Sequence, residues 1–274
     1  MRHNILQGKR GLIFGAVDQH SLAWHVARQC HAEGAQLVLT NSAYGVQLGE
    51  IDVLATEVNA PVIVCDATDV EQLTLLISRS IELLGGKLDF ILHAVAQSPN
   101  IRRHRSYTDI NYNYMLETMD ISAISLHRIL QVCHKQDALN EWASVVALTF
   151  IGSHRPLADY VDMGDAKALL ESVARTFGRV YGEDKHVRIN TIGQSPTLTR
   201  AGCDCEGMSM YRQFTDQIAP LGNADSESCA ALCAMLFSDY ARFVTMQTIF
   251  NDGGFSSTGL SHKFTEFVAP LYRK

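Results

Sequence analysis

Two hydrophobic periods take turns along this chain from one end to the other. Short, near-continuous apolar runs occupy residues 10–16 (RGLIFGA), 35–40 (AQLVLT), 60–66 (APVIVCD), 88–96 (LDFILHAVA), 141–150 (EWASVVALTF), 186–193 (HVRINTIG) and 244–254 (VTMQTIFNDGG). Runs of this length predict strands, and near-continuous ones predict strands covered on both faces. Between them lie segments of helical spacing: 21–34, one ending at 77–85, and about 111–136, 159–181 and 225–237. Seven strands separated by helices predict a doubly wound parallel sheet with helices on both faces, because parallel neighbours need crossover connections. No repeat, low-complexity tract or linker interrupts the pattern, so a single domain is expected over 1–274.

Composition narrows the partners. With 274 residues, 47% hydrophobic and 19% charged, the chain can bury a sizeable core. Its formal net charge of −6 argues against a nucleic-acid partner. The start, MRHNILQGKRGLIFGA, has no long apolar region after its charges, and no run approaches the roughly 18 apolar residues of a membrane span. Neither a secretory leader nor a membrane partner is expected. The seven cysteines lie mostly in apolar stretches, which predicts reduced thiols and a cytoplasmic protein. Cys203 and Cys205 form a close pair in a polar loop, but no second Cys or His pair follows at ligand spacing, so no metal is expected.

In such sheets the first strand-to-helix turn is the usual phosphate cradle. Here it reads GAVDQHSLA, Gly15 to Ala23. Gly15 leaves room for close backbone approach, and Ser21 is placed to cap a helix starting at Leu22, whose free N–H groups would face a pyrophosphate. A plain glycine turn with a cap reads the same way, and G-x-G-x-x-G is absent. The second strand ends Leu39-Thr40-Asn41-Ser42, without the acidic residue that commonly holds an adenosine ribose. It also lacks a cation for a 2′-phosphate, and Asp18 would oppose one. If a dinucleotide binds here, NAD(H) is favoured over NADP(H). Asp66 ends the third strand, either accepting from an adenine amino group beside Ala67 or capping the helix that follows.

Tyr160 and Lys167 stand seven residues apart, close to two helical turns, and so share a helix face. Tyr181 and Lys185 offer a second Tyr–Lys spacing, but Gly182 and the charged tripeptide after it read as a helix stop at the opposite end of the sheet.

Taken in order, five motifs resemble the enoyl-acyl-carrier-protein reductases, a divergent arm of the short-chain dehydrogenase/reductase family. They are Gly15-x5-Ser21-x-Ala23, Cys65-Asp66-Ala67, Tyr160-x6-Lys167, the segment from Asn190 through Pro196-Thr197-Leu198-Thr199, and Asn251-Asp-Gly-Gly-Phe255. The likeness runs over about residues 8–260. It implies a Rossmann-type fold, NADH as cofactor, an acyl carrier protein as substrate carrier, and a homotetramer. It further implies reduction of a trans-2-enoyl thioester in fatty-acid elongation. Tyr160 would hydrogen-bond the thioester oxygen and Lys167 the nicotinamide ribose. Gly15, Ser21, Leu22, Asp66, Ala67, Ala94, Val95, Ala96, Pro196, Thr197 and Thr199 would line the cofactor. Thr197 would hold the carboxamide through its backbone and Thr199 the pyrophosphate. Ala96, Phe150, Tyr160, Met163 and Met208 would meet the substrate, under a mobile loop at about 199–220.

The chain departs from that pattern at two places. Phe150 stands where many members have a second tyrosine, and Ala94-Val95-Ala96 replaces the usual Ser-Ile-Gly. No serine precedes Tyr160 at the spacing of carbonyl reductases; Thr149 is the nearest hydroxyl substitute. A reductase for another carbonyl or enone substrate, and a nucleotide-binding regulator on the same scaffold, are the alternatives. Arg102, Arg103 and Arg105 are candidates for steering an acidic carrier or for a solvated loop, with Arg200 and Arg212 as alternative docking cations. His93 is expected to be a buried strand residue.

Overall fold

Six of the seven strands divide their apolar residues between two cores, one on either face. In β1 (Arg10–Phe14), Ile13 points to one side and Leu12 and Phe14 to the other; in β4 (Leu88–His93), Phe90 and Leu92 oppose Ile91. That division is why the runs read as continuous hydrophobes. The computed structural model describes residues 3–199 and 207–272.

Between the first strands lie α1 (Leu22–Ala32), β2 (Gln36–Asn41), α2 (Ala43–Leu48), α3 (Ile51–Glu57), β3 (Val62–Val64) and α4 (Val70–Leu84). After β4 come α5 (Pro99–Arg102), α6 (Tyr112–Met119), a π-helical turn at Asp120–Ile124, and α7 (Ser125–Lys135). The chain continues through β5 (Leu139–Thr149), α8 (Val161–Lys185), β6 (Arg188–Gln194), α9 (Met208–Ile218), α10 (Ser226–Phe237), β7 (Thr248–Asn251) and α11 (His262–Tyr272). All neighbouring strands are parallel, in the order β3-β2-β1-β4-β5-β6-β7. The order reverses between β1 and β4, the point where open parallel sheets bind ligands.

Helices α1, α3 and α10 cover one face, and α4, α7 and α8 the other. A third apolar cluster, with Phe150, Tyr160, Met163, Met208 and Phe255, sits beyond the end of β5. Among the described residues, no helix is long and apolar enough to cross a membrane.

All seven expected strands form. Two helical expectations need correction. Helix α8 runs past Gly182 and stops only at Lys185, where His186 takes the left-handed cap (φ 56). One glycine costs about 1 kcal/mol in a helix, too little to end one whose Tyr181 is buried and donates to the Leu130 carbonyl at 2.8 Å. The segment read as a loop at 199–220 contains helix α9, whose Met208 and Ile218 are buried in the third cluster. Lys185 pairs with Asp137, and Tyr181 and Lys185 lie in the last turn of α8, so that pair stands away from the carboxyl ends of the strands.

Candidate active site

The carboxyl ends of β1 to β6 open onto one cavity of about 870 Å³, and the residues expected to line the cofactor or meet the substrate all border it. Its near end is the turn after β1. Gly15 there is left-handed (φ 94), and a Cβ would lie 2.1 Å from the Ala94 carbonyl oxygen, so the close approach is to β4's own continuation. Ser21 holds the N-cap position but does not cap: its hydroxyl donates to the Asp18 carbonyl at 2.7 Å and accepts from Val17 N–H at 3.2 Å. It shapes the turn, and Leu22 and Ala23 keep first-turn N–H groups that helix geometry leaves without intrahelical partners. Thr40 Oγ1, buried and without a partner among the described residues, belongs to a cavity-lining residue.

At the end of β3, the cap of α4 is Asp69, which accepts from the N–H groups of Glu71 and Gln72. Asp66 is therefore not the cap; it accepts from the Thr68 amide and hydroxyl and borders the cavity. Past β2, the lining residues Asn41, Ser42, Ala43, Tyr44 and Gly45 carry no charge.

The Tyr–Lys pair lies at the cavity's inner part. Tyr160 is nine-tenths buried, its ring edge-on to Phe150 at 5.2 Å between centroids and 60° between planes. Gly152 makes room for that ring, because a Cβ there would come within 2.5 Å of it. The backbone around Tyr160 is held in rare conformations: Asp159 (φ 61) and Val161 (φ 39) are left-handed, with Tyr160 itself at φ −86, ψ −9. Two turns along α8, Lys167 is buried and donates to the Leu148 carbonyl at 2.8 Å. Burial lowers its pKa to about 8, opposed by the Glu171 carboxylate one turn further on. Glu171 in turn accepts from Thr149 Oγ1 at 2.8 Å, Ser153 Oγ at 2.5 Å and the His154 ring at 2.8 Å. The Thr149 hydroxyl is thus turned away from the role of a carbonyl-orienting serine. His93, fully buried, meets Ser125 Oγ at 2.8 Å and is held neutral by burial and by Lys167, its pKa lowered to about 3.

The chain is similar to several enoyl reductases in sequence and in fold. Residues 15–256 match the family model described as enoyl-(acyl carrier protein) reductase. The chain belongs to that family. The NADH-type enoyl-acyl-carrier-protein reductase 2 of Rhizobium meliloti is 32% identical, covering 94% of this chain and 95% of its own. The Aquifex aeolicus enzyme of the same designation, FabI, is 28% identical over 98% of both. The solved FabI–NADH complex from Alistipes finegoldii superposes with a TM-score of 0.94 at 51% identity, covering 95% of this chain and 92% of that one.

Within this enoyl reductase, the cavity also takes in Gln194 and Ser195 of the Asn190–Thr199 segment and Arg102 of the clustered arginines, together with Gln97, Ser98, Ile101 and Ile121, which carried no signal in the sequence. Gln194 and Ser195 end β6 and are held by the Ala224 and Asp225 carbonyls and by Asn251. Gln97, Ser98, Ile101 and Arg102 line the wall after β4, and Ile121 comes from the π-helical turn. Position beyond a strand end was the one available clue. Among the clustered arginines, Arg103 lies 5.0 Å over the Tyr114 ring, and Arg105 pairs with Asp109. Met208 both lines the cavity and packs, whereas Met210 is exposed. Arg200, Cys203 and Cys205 fall outside the described residues. The cysteines Cys30, Cys65, Cys133, Cys229 and Cys233 are free and buried, and burial raises the Cys65 and Cys133 thiols to about 12, so both stay protonated.

Proposed function

We propose that this protein is an NADH-dependent enoyl reductase that saturates the trans-2 double bond of acyl thioesters presented on acyl carrier protein. The observation that carries the reading is the placement of Tyr160 and Lys167 in one cavity at the carboxyl ends of the strands. Membership of the family and the 51% identical NADH complex support it.

The residues present fit a dinucleotide. The left-handed Gly15 turn, the first-turn N–H groups at Leu22 and Ala23, the Thr40 hydroxyl, without a partner among the described residues, and the buried Lys167 amine follow one continuous cavity. Leu22 and Ala23 would receive the pyrophosphate with Thr199, and Asp66 and Ala67 the adenine. Ala94, Val95 and Ala96 would form the floor, and Pro196 and Thr197 would hold the carboxamide end. The uncharged Asn41–Gly45 wall offers no cation to a 2′-phosphate. Bound here, NADH would supply the hydride for the substrate's β-carbon, and a solvent proton at the α-carbon would complete the saturated thioester.

The chain's own part is to hold the thioester and absorb the charge that develops on its oxygen. The Tyr160 hydroxyl donates to that oxygen as the enolate forms, and such a donor is worth roughly 3–4 kcal/mol in the transition state. Lys167, fixed by the Leu148 carbonyl, can turn its two remaining N–H groups to the nicotinamide ribose and adds positive potential. Phe150, Met163 and Met208 form an apolar wall for the acyl chain, and their exclusion of water strengthens the Tyr160 contact. Helix α9 is the part proposed to cover that chain; residues 200–206 of the expected substrate loop lie outside the described residues. A cytoplasmic homotetramer is the setting the resemblance supports. The test is product analysis after incubation with NADH and a trans-2-enoyl-acyl carrier protein: a saturated acyl chain supports the reading. Tight NADH binding without turnover of any enoyl thioester favours the regulator instead.

A further inference from the structure

Asp162 lies in the first turn of α8, wholly shielded from solvent, two residues after Tyr160 and one before Met163. A buried carboxylate is costly unless its lone pairs are satisfied. Here three side chains donate to it: Ser98 Oγ at 2.7 Å, Asn100 Nδ2 at 2.8 Å and Thr118 Oγ1 at 2.8 Å. No cation pairs with it among the described residues. Nothing in the residue pattern hints at the cluster, since its members are spread from 98 to 162 and make contact only through the fold.

The donors come from two pieces of chain, α5 with its cap and α6. Ser98 also caps α5, accepting from Ile101 N–H at 3.1 Å. Asn100 grips the Asn111 backbone through its N–H at 3.0 Å and its carbonyl at 3.2 Å, and Asn111 caps α6. Thr118 is in the last turn of α6. Helices α5, α6 and α8 therefore meet at one carboxylate, and Ser98 is itself a cavity wall.

A second observation concerns the backbone beside it. Left-handed Asp159 and Val161 flank Tyr160, and a β-branched residue at φ 39 is an outlier. Such a stretch persists only where its surroundings over-determine it. The Gly152 and Phe150 contacts hold the Tyr160 ring, and the residue after Val161 is the one anchored by three donors.

We infer that Asp162 is a positioning residue: its buried carboxylate pins the strained backbone that aims the Tyr160 phenol, and ties that aim to the substrate wall at 97–102. The assignment rests on the reaction proposed above. It predicts that Asp162 acts through Tyr160 and not through the cofactor. Asp162→Asn keeps the size but leaves one acceptor oxygen where there were two: with that oxygen on Asn100 and Thr118, the amide N–H₂ faces the Ser98 hydroxyl, which loses its acceptor and must turn to accept instead.

The experiment is a double-mutant cycle on the full chain, with Tyr160→Phe and Asp162→Asn alone and combined. The readouts are kcat, KM for a trans-2-enoyl thioester, NADH Kd by fluorescence, and thermal midpoint. The expected result for Asp162→Asn is a kcat lowered about 10–100-fold with NADH Kd and thioester KM within about twofold. In the Tyr160→Phe background the same change should lower kcat less than about twofold further. An equal loss in both backgrounds, or no loss in kcat from Asp162→Asn alone, overturns the assignment and leaves the carboxylate a fold element. Should Asp162→Asn fail to fold, Thr118→Val and Ser98→Ala each remove one donor and run the same cycle, and the same two outcomes support or overturn the assignment. Wild-type turnover checks the reaction separately: its absence on every enoyl thioester removes the proposed reaction and the assignment with it, whereas turnover with an additive cycle removes the assignment alone.

Discussion

Lys167 donates from Nζ to the Leu148 carbonyl at 2.8 Å, which fixes the amine of α8 at the end of β5. Burial there lowers its pKa from 10.5 to about 8. The cation is disfavoured in the fold, so this group subtracts stability below about pH 8 and the penalty fades as pH rises toward 10.5. Activity runs the other way, since the cation is the form that adds positive potential. kcat/KM is therefore expected to fall with an alkaline limb near pH 8. A guanidinium stays charged throughout this range, so whatever activity Lys167→Arg retains should lack that limb. A limb unchanged in Lys167→Arg would assign it to another group.

Gly152 sets where the Tyr160 ring can lie. A methyl at that position would fall 2.5 Å from the ring. Gly152→Ala is expected to displace the phenol, lowering kcat by about tenfold or more while NADH affinity stays within about twofold. Parallel turnover and NADH fluorescence titrations check this. Equal loss of both would mean that the substitution disrupts the fold broadly.

The opposite split is expected at Gly15. Its left-handed backbone costs a non-glycine residue roughly 1–2 kcal/mol, and a Cβ would press on the Ala94 carbonyl at 2.1 Å. Gly15→Ala should weaken NADH binding and lower the thermal midpoint by several degrees, because turn and floor move together. Fluorescence titration with NADH and a thermal melt of the variant check both effects.

Cofactor choice follows from what lines the end of β2. Asn41, Ser42, Ala43, Tyr44 and Gly45 include no cation, so the 2′-phosphate of NADPH would be desolvated without a charge to pair with. kcat/KM with NADH is expected to exceed that with NADPH by about tenfold or more. Comparable values would place an arginine or lysine closer than these residues allow.

The sheet was legible because two-faced strands leave unbroken apolar runs, and the motifs were legible because strand ends recur in order. What escaped was set by tertiary contacts. Helix α9 is amphipathic and follows a glycine, and its packing of Met208 and Ile218 decides for helix over loop. The Ser21 hydroxyl occupied a cap position and still turned to Asp18, a choice that local sequence does not record. Asp162 and Glu171 read as ordinary polar positions of a long helix; only the approach of β5 and of the wall after β4 makes them buried.

Whether Tyr160 donates to the reacting oxygen is decided by NADH oxidation with a trans-2-enoyl thioester, comparing wild type and Tyr160→Phe. Wild-type turnover should fall about 10²–10³-fold in the mutant, with NADH Kd unchanged. Equal turnover by the two proteins would show instead that Tyr160 is a wall of the cavity and not a donor, against the mechanism proposed for this site.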